Sequence, residues 1–257
     1  ELVTCELSGN GASALEVRDS AQARAVKCRF KRNRVQAVLA WAKAESVRLN
    51  NCVIQEHQGE SSILIADGCK ATLEQIHVSG SGHAGVAAEE ASAELSHCLV
   101  EGSLHGLLVQ SGKCHVVAKQ CTFRKSRMHG IFIGYDAIGY VCLIGNLLAE
   151  NTKRGVENSS RAKACTVEGD ANSCQNNGHD GRDDFYKQVR KLAKDMPLSQ
   201  ADQDAAAARL RANGMLPPDT PMPADTSEAK LRTQRARKDA GLTHGLPQCS
   251  ECGKEES

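Results

Sequence analysis

Aromatic side chains make up only 3% of this 257-residue chain, and it has one tryptophan, Trp41. That scarcity argues against broad platforms for stacking sugar rings. Neither sign of charge is in excess: 32 basic against 31 acidic residues leave a formal +1. Electrostatics therefore gives no reason to expect nucleic acid or a membrane surface as a partner. Long apolar runs are missing, and with them any stretch of about 20 residues that a membrane-spanning helix needs. No signal peptide is legible. Proline is held back almost entirely until residue 197, since five of the six fall between 197 and 223.

What the chain does contain is a repeat. Cys98 is followed by Gly106 and the apolar run Leu107, Leu108, Val109; Cys121 is followed by Gly130 and Ile131, Phe132, Ile133. The cysteine mark extends to Cys5, Cys28 and Cys52, with Ile76 and Asn146 filling the remaining slots. The small residue that opens the next apolar run recurs at Ala14, Ala37, Ser62, Gly85, Gly106, Gly130 and Gly155. Two marks that keep phase over so many units, at a period of about 23 residues, signal a repeat architecture.

Each unit holds short β-rich runs separated by polar turns, such as Cys52, Val53, Ile54 and then Ile63, Leu64, Ile65. Three such runs in about 23 residues leave no room for a helix. The reading is an all-β, right-handed, single-stranded parallel β-helix of about seven coils over residues 1–180, each coil hydrogen-bonded to the next at about 4.8 Å. Cysteines then stack as small buried hydrophobes inside, and Gly, Ala or Ser line a corner where a larger side chain would strike the neighbouring coil. Disulfides or metal sites are the sharper alternatives for a chain with 12 cysteines. A column of unpaired thiols instead favours a reducing compartment, hence a cytoplasmic or nuclear location. The chain opens at Glu1 already inside a repeat, and reads as a fragment or processed piece.

Four further residues draw attention. His105 and His129 directly precede the corner glycine, Arg154 takes the same place one coil later, and His83 sits one residue out of register before Gly85. Stacked imidazoles can bind a metal or an acidic ligand; the plainer reading is a polar residue required in the turn before each strand. His105, His129 and Arg154 are carried forward as candidate ligand-binding residues. Candidate catalytic carboxylates do not group: Asp19, Asp67, Glu89, Glu90 and Asp136 share no column. The dense run at 179–184 falls where the repeats end, and Asp183 and Asp184 read better as first-turn residues of a helix.

The sequence Cys121, Thr122, Phe123, followed by His129 to Ile133, resembles the right-handed β-helix repeats of the pectate-lyase-like superfamily, over roughly residues 1–178. The closer match is to its non-enzymatic branch, found in F-box proteins that carry β-helix repeats and in related carbohydrate-binding and sugar-hydrolase repeat proteins. The resemblance implies the fold; its functions range over lyases, hydrolases, adhesins and protein-binding scaffolds. No F-box stretch is visible, so a ubiquitin-ligase role is not implied.

Beyond the repeats, residues 181–213 read as a capping helix, with Phe185, Val189, Leu192, Ala193 and Met196 on one face, and a second helix. Residues 214–224 read as a proline-rich linker, and residues 225–257 as a third helix with a Cys-x-x-Cys tail. Cys249 and Cys252, followed by Gly253, resemble the first knuckle of a MYND-type zinc finger, which implies a possible zinc site that is incomplete here; His244 supplies at most a third ligand. Taken together, the expectation is a non-catalytic scaffold that binds a protein partner along a lateral face. A carbohydrate-binding or polysaccharide-cleaving β-helix is the alternative.

Overall fold

A computed structural model describes residues 1–161 and 164–178, together with the backbone of 190–191. Among these residues there is no α-helix; the chain is a parallel β-helix of about seven coils. Every coil runs through three faces in the same order. Face 1 begins with Leu2–Val3, Gln22–Val26 and Ser46–Asn50, face 2 with Glu6–Ser8, Arg29–Lys31 and Val53–Gln55, and face 3 with Leu15–Val17, Val38–Ala40 and Ser61–Ile65. Face 2 is an eight-stranded sheet that ends at Ser173–Gln175. Faces 1 and 3 merge into one sheet late in the chain, because the strands His105–Lys119 and Ile131–Ile144 continue around the corner between them.

All pairings are parallel and join one coil to the next, as in Leu15↔Val38, Val38↔Ile63 and Val78↔Val100. Side chains alternate along each short strand, so a given strand position forms a column. The inward column of face 2 contains Phe30, Ile54, Val78, Val100, Phe123 and Leu148, all fully buried. Those of face 3 contain Val38, Ile63, Val86, Leu107, Ile131 and Val156 and, beside them, Ala40, Ile65, Ala88, Val109 and Ile133.

The two tight corners bounding face 2 use one device. A residue with positive φ turns the chain, at Lys27, Asn51, Gln75, His97 and Gln120 before face 2 and at Arg32, Glu56, Lys125, Glu150 and Asn176 after it. The next residue points inward. At the first corner this is the cysteine column: Cys28, Cys52, Cys98 and Cys121 are buried, and each thiol donates to the carbonyl two residues back, at 3.3–3.4 Å. No disulfide joins any two of the ten described cysteines. In the last coils amides replace the thiols: Asn146 Oδ1 accepts from the Cys121 amide at 2.8 Å, and Asn172 Oδ1 from the Asn146 amide at 2.9 Å.

The second corner carries a ladder that the sequence reading did not identify. Asn10, Asn33, His57, Ser81, Ser103, Ser126, Asn151 and Asn177 each lie five residues beyond the first-corner position. Asn33 Oδ1 accepts from Asn10, Asn151 Oδ1 from the Ser126 amide and Asn177 Oδ1 from the Asn151 amide. All but Asn10 and Asn177, at the two ends, are buried, and the asparagine bonds satisfy corner amides that the β ladder leaves open.

The small-residue column behaves as expected. A Cβ on Gly106 would lie 2.5 Å from the Gly130 carbonyl oxygen, and one on Gly130 would lie 2.8 Å from that of Gly155. Arg190 and Lys191 depart from the expected helix: they form a short strand parallel to Cys165–Asp170, pairing with Glu168 and Gly169. A free strand edge on the last coil competes for this segment's backbone more effectively than its amphipathic spacing suggests. The remainder of that helix, the second and third helices and the linker lie outside the described residues. The chain separates into compact units Glu1–Ala206 and Ala207–Ser257, and all of the second lies outside the described residues.

Candidate functional site

Face 3 differs from its neighbours on the outside. Its central outward column, joined pair by pair in register, is Glu16, Leu39, Leu64, Ala87, Leu108, Phe132 and Glu157. Five successive coils thus turn apolar side chains away from the interior, with a carboxylate at each end; Leu39, Leu64 and Phe132 are half-buried, whereas Ala87 and Leu108 are buried, 1% and 4% exposed. Ala84, Ala87 and Leu108 form a small cluster of their own, against which Leu64 and Phe132 pack. Trp41 closes the column at the early end, 37% exposed, its indole Nε1 donating to Glu16 Oε1 at 2.9 Å.

The candidate ligand residues lie along one margin of this column. His105 and His129 are not solvated turn residues: they are buried, 5% and 7% exposed. Their rings stack in parallel at 5.6 Å, and both stack on Phe132, at 4.8 and 5.5 Å. His83, although out of register, meets His105 edge-on at 5.5 Å. His105 Nδ1 is buried and has no hydrogen-bond partner. Burial, then the nearby His129, His83 and Lys153, push the His105 pKa down to about 4, so its ring is neutral at pH 7. Arg154 ion-pairs with Glu157, and its backbone amide donates to His129 Nδ1 at 3.3 Å. The structure therefore brings His105, His129 and Arg154 together, around Phe132.

Two open pockets flank Phe132. One, of about 430 Å³, is lined by Glu60, His83, Leu108, Gln110, Phe132 and Gly134. The other, of about 570 Å³, is lined by Met128, His129, Phe132, Lys153, Arg154, Glu157 and Ser159. Among the described residues, no three His, Cys, Asp or Glu side chains converge in a way that would hold a metal ion. The candidate zinc ligands Cys249 and Cys252 lie outside the described residues. The internal thiols suit packing rather than chemistry: burial raises the pKa of Cys52, Cys69 and Cys114, and takes that of Cys165 up to about 11. A thiol held protonated is a poor nucleophile and a poor metal ligand. Also among the described residues, no helix is long and apolar enough to cross a membrane.

Sequence reading located the histidines and the arginine but missed the apolar column beside them. Its signal was the middle residue of each face 3 run, apolar where a half-exposed strand usually carries a polar residue. Comparison with curated proteins and with solved structures finds no match. The family comparison does: the model described as "right handed beta helix region" matches residues 13–172, more than half of the chain, which therefore belongs to the right-handed β-helix family.

Proposed function

We propose that the chain is a non-catalytic β-helix scaffold that docks a protein along face 3. The observation that supports this most is the outward column Leu39, Leu64, Ala87, Leu108 and Phe132. It contributes nothing to the interior of the coil, yet it is apolar over five consecutive coils. Leu39, Leu64 and Phe132 stay half-buried beside the buried Ala87 and Leu108, and apolar surface rimmed by polar groups marks interaction sites. The margin supplies the rim through His129, Lys153 and Arg154 on one side and Gln110 and Ser159 on the other.

The charge layout argues against polysaccharide cleavage on this face. Glu16 and Glu157 close the two ends of the column, six coil steps or about 29 Å apart, whereas a glycosidase pair works at about 5–10 Å. The test is quantitative capture from reduced lysate with the chain as bait, comparing wild type with Leu64→Glu, with Phe132→Glu and with Thr72→Glu on face 1. Proteins lost with both face 3 variants and kept by the face 1 variant are the expected outcome. The same preparations incubated with polygalacturonate and alginate should release no new reducing or unsaturated ends; release of such ends, abolished by changing a face 3 side chain, would overturn the scaffold reading.

A further inference from the structure

The turns that lead from face 2 into face 3 change character along the coil. One margin position, joined from coil to coil by backbone bonds, is Leu104, Met128 and Lys153. The Met128 amide donates to the Leu104 carbonyl at 2.9 Å, and the Lys153 amide to that of Met128 at 2.8 Å. Leu104 and Met128 are half-buried, and Lys153 is exposed. Two apolar side chains are thus followed, one coil spacing of about 4.8 Å further on, by an ammonium group.

The charges around this ammonium do not cancel. Glu157 is the carboxylate that lines the pocket of about 570 Å³ beside Phe132, and it is already engaged. Arg154 ion-pairs with it, and the Ser159 hydroxyl donates to its Oε1 at 3.2 Å. Lys153 lines the same pocket and forms no ion pair among the described residues. With Lys153 and Arg154 set against Glu157, one positive charge is left over. Across Phe132 the sign reverses: the pocket of about 430 Å³ is lined by Glu60 and by no Lys or Arg.

We infer that the pocket on the seventh-coil side of Phe132 receives a carboxylate of the docked protein, an Asp or Glu side chain flanked by apolar residues. The inference rests on the reading of face 3 as a protein-docking surface and names the chemistry of its partner. Lys153 takes the carboxylate, and Arg154, held on Glu157, adds a second positive charge at longer range. The apolar neighbours of the acid lie on Met128 and on the half-buried ring of Phe132. Backbone bonds prearrange the site. The Gly130 amide donates to the Arg154 carbonyl at 3.0 Å and the Thr152 amide to that of Ser126 at 2.9 Å, so the turn bearing both cations is fixed to the preceding coil before a partner arrives. Glu60 sets the direction: an acid placed over the third coil would meet a like charge, so the acidic segment is drawn to the late end of the face.

The test is methyl NMR on the full chain, labelled at methionine and kept reduced. Met128 lines the pocket and is one of four methionines; Met128→Leu assigns its signal. The probe is a peptide mixture, acetyl-Ser-Z-Glu-Z-Ser-amide with Leu, Ile, Met or Phe at Z, beside counterparts carrying Gln or Lys in place of Glu. The Glu peptides should shift the Met128 signal saturably, with a dissociation constant of about 0.1–1 mM, and bind about three- to fivefold more tightly than the Gln peptides at low salt. Lys153→Glu should abolish that preference and transfer it to the Lys peptides, while Glu60→Gln should leave it unchanged. About 0.5 M salt should erase most of the difference between Glu and Gln peptides. Circular dichroism checks that each variant folds.

No shift at Met128 with any peptide, or equal affinity for the Glu and Gln peptides, would overturn the inference. If Leu64→Glu and Phe132→Glu lost a captured protein that Lys153→Glu kept at the wild-type level, the docking reading would stand and the carboxylate would not. A preference for Glu at Met128, with captured proteins indifferent to every face 3 variant, would keep the chemistry of the pocket and overturn the docking reading.

Discussion

Faces 1 and 3 are built on the same coil, from the same strand pairing, and their inward columns are equally apolar: Val47, Ala71, Ala93 and Val116 on one, Ile63, Val86, Leu107 and Ile131 on the other. Outward they diverge. Face 1 presents Arg24, Arg48, Thr72, Glu94 and Val117 in register, while face 3 presents Leu39, Leu64, Ala87, Leu108 and Phe132. Face 1 shows that the fold is satisfied by polar and charged side chains on the outside. The apolar column of face 3 is therefore not demanded by the strand pairing of the β-helix; within it Ala87 and Leu108 are buried and Leu39, Leu64 and Phe132 are half-buried.

The comparison predicts a hierarchy of effects. The largest belongs to the inward column: Ile131→Ala removes a fully buried side chain and should cost about 2–5 kcal/mol in urea unfolding. If outward Phe132→Ala cost as much, face 3 would be core rather than surface and the contrast would fail.

Next comes acid. With its pKa pushed down to about 4, His105 resists a proton that the unfolded chain accepts from pH 6.5 downward. Stability from this group is intact above pH 6.5, falls as the pH drops through that value, and is lost by about pH 4, a change of about 3 kcal/mol. The titratable groups facing it are His129, His83 and Lys153. His105→Phe keeps a ring on Phe132 and should flatten the dependence of the unfolding midpoint on pH between those limits.

Smaller again is Asn151→Ala. It leaves the Ser126 amide without an acceptor and should cost about 1–3 kcal/mol, seen as a lower melting temperature. Smallest are exchanges between the two outward columns. Thr72→Leu on face 1 and Leu64→Thr on face 3 should each move stability by less than about 1 kcal/mol, measured in the same urea series. Their consequences should separate only in association, where the face 3 change acts and the face 1 change does not.

Much of this molecule was legible because one residue type marked one position. Cys5, Cys28, Cys52, Cys98 and Cys121 announced the period, and the Gly85, Gly106 and Gly130 corner confirmed it, so coil number and strand order followed. The second corner kept the same period but was hidden, since amide, imidazole and hydroxyl side chains all fill it: Asn33, His57 and Ser103 share a place without sharing a letter. The outward column of face 3 was hidden differently. In runs such as Leu107, Leu108, Val109 an unbroken apolar stretch conceals which residue points out. The histidines were found but half understood: spacing placed them on one margin, while their burial against Phe132 depended on an outward ring that the pattern had assigned to no face. Arg190 and Lys191 were misread because helical spacing in a short segment says nothing of the strand edge waiting beside it.

The register of the coils also bears on how the chain reaches its fold. Strands pair with partners about one repeat away, as Leu2 with Ala25 and Leu147 with Ser173, so the chain closes only short loops despite being all-β. Pairings at a spacing of about one repeat keep contacts local for an all-β fold, which favours rapid folding. No coil can bury its inward columns alone, but any adjacent two can begin to, and each later coil adds to a finished edge. Folding can therefore start at several points along the rod and spread outward, and inserting or deleting a whole coil away from face 3's central residues should leave the remainder able to fold.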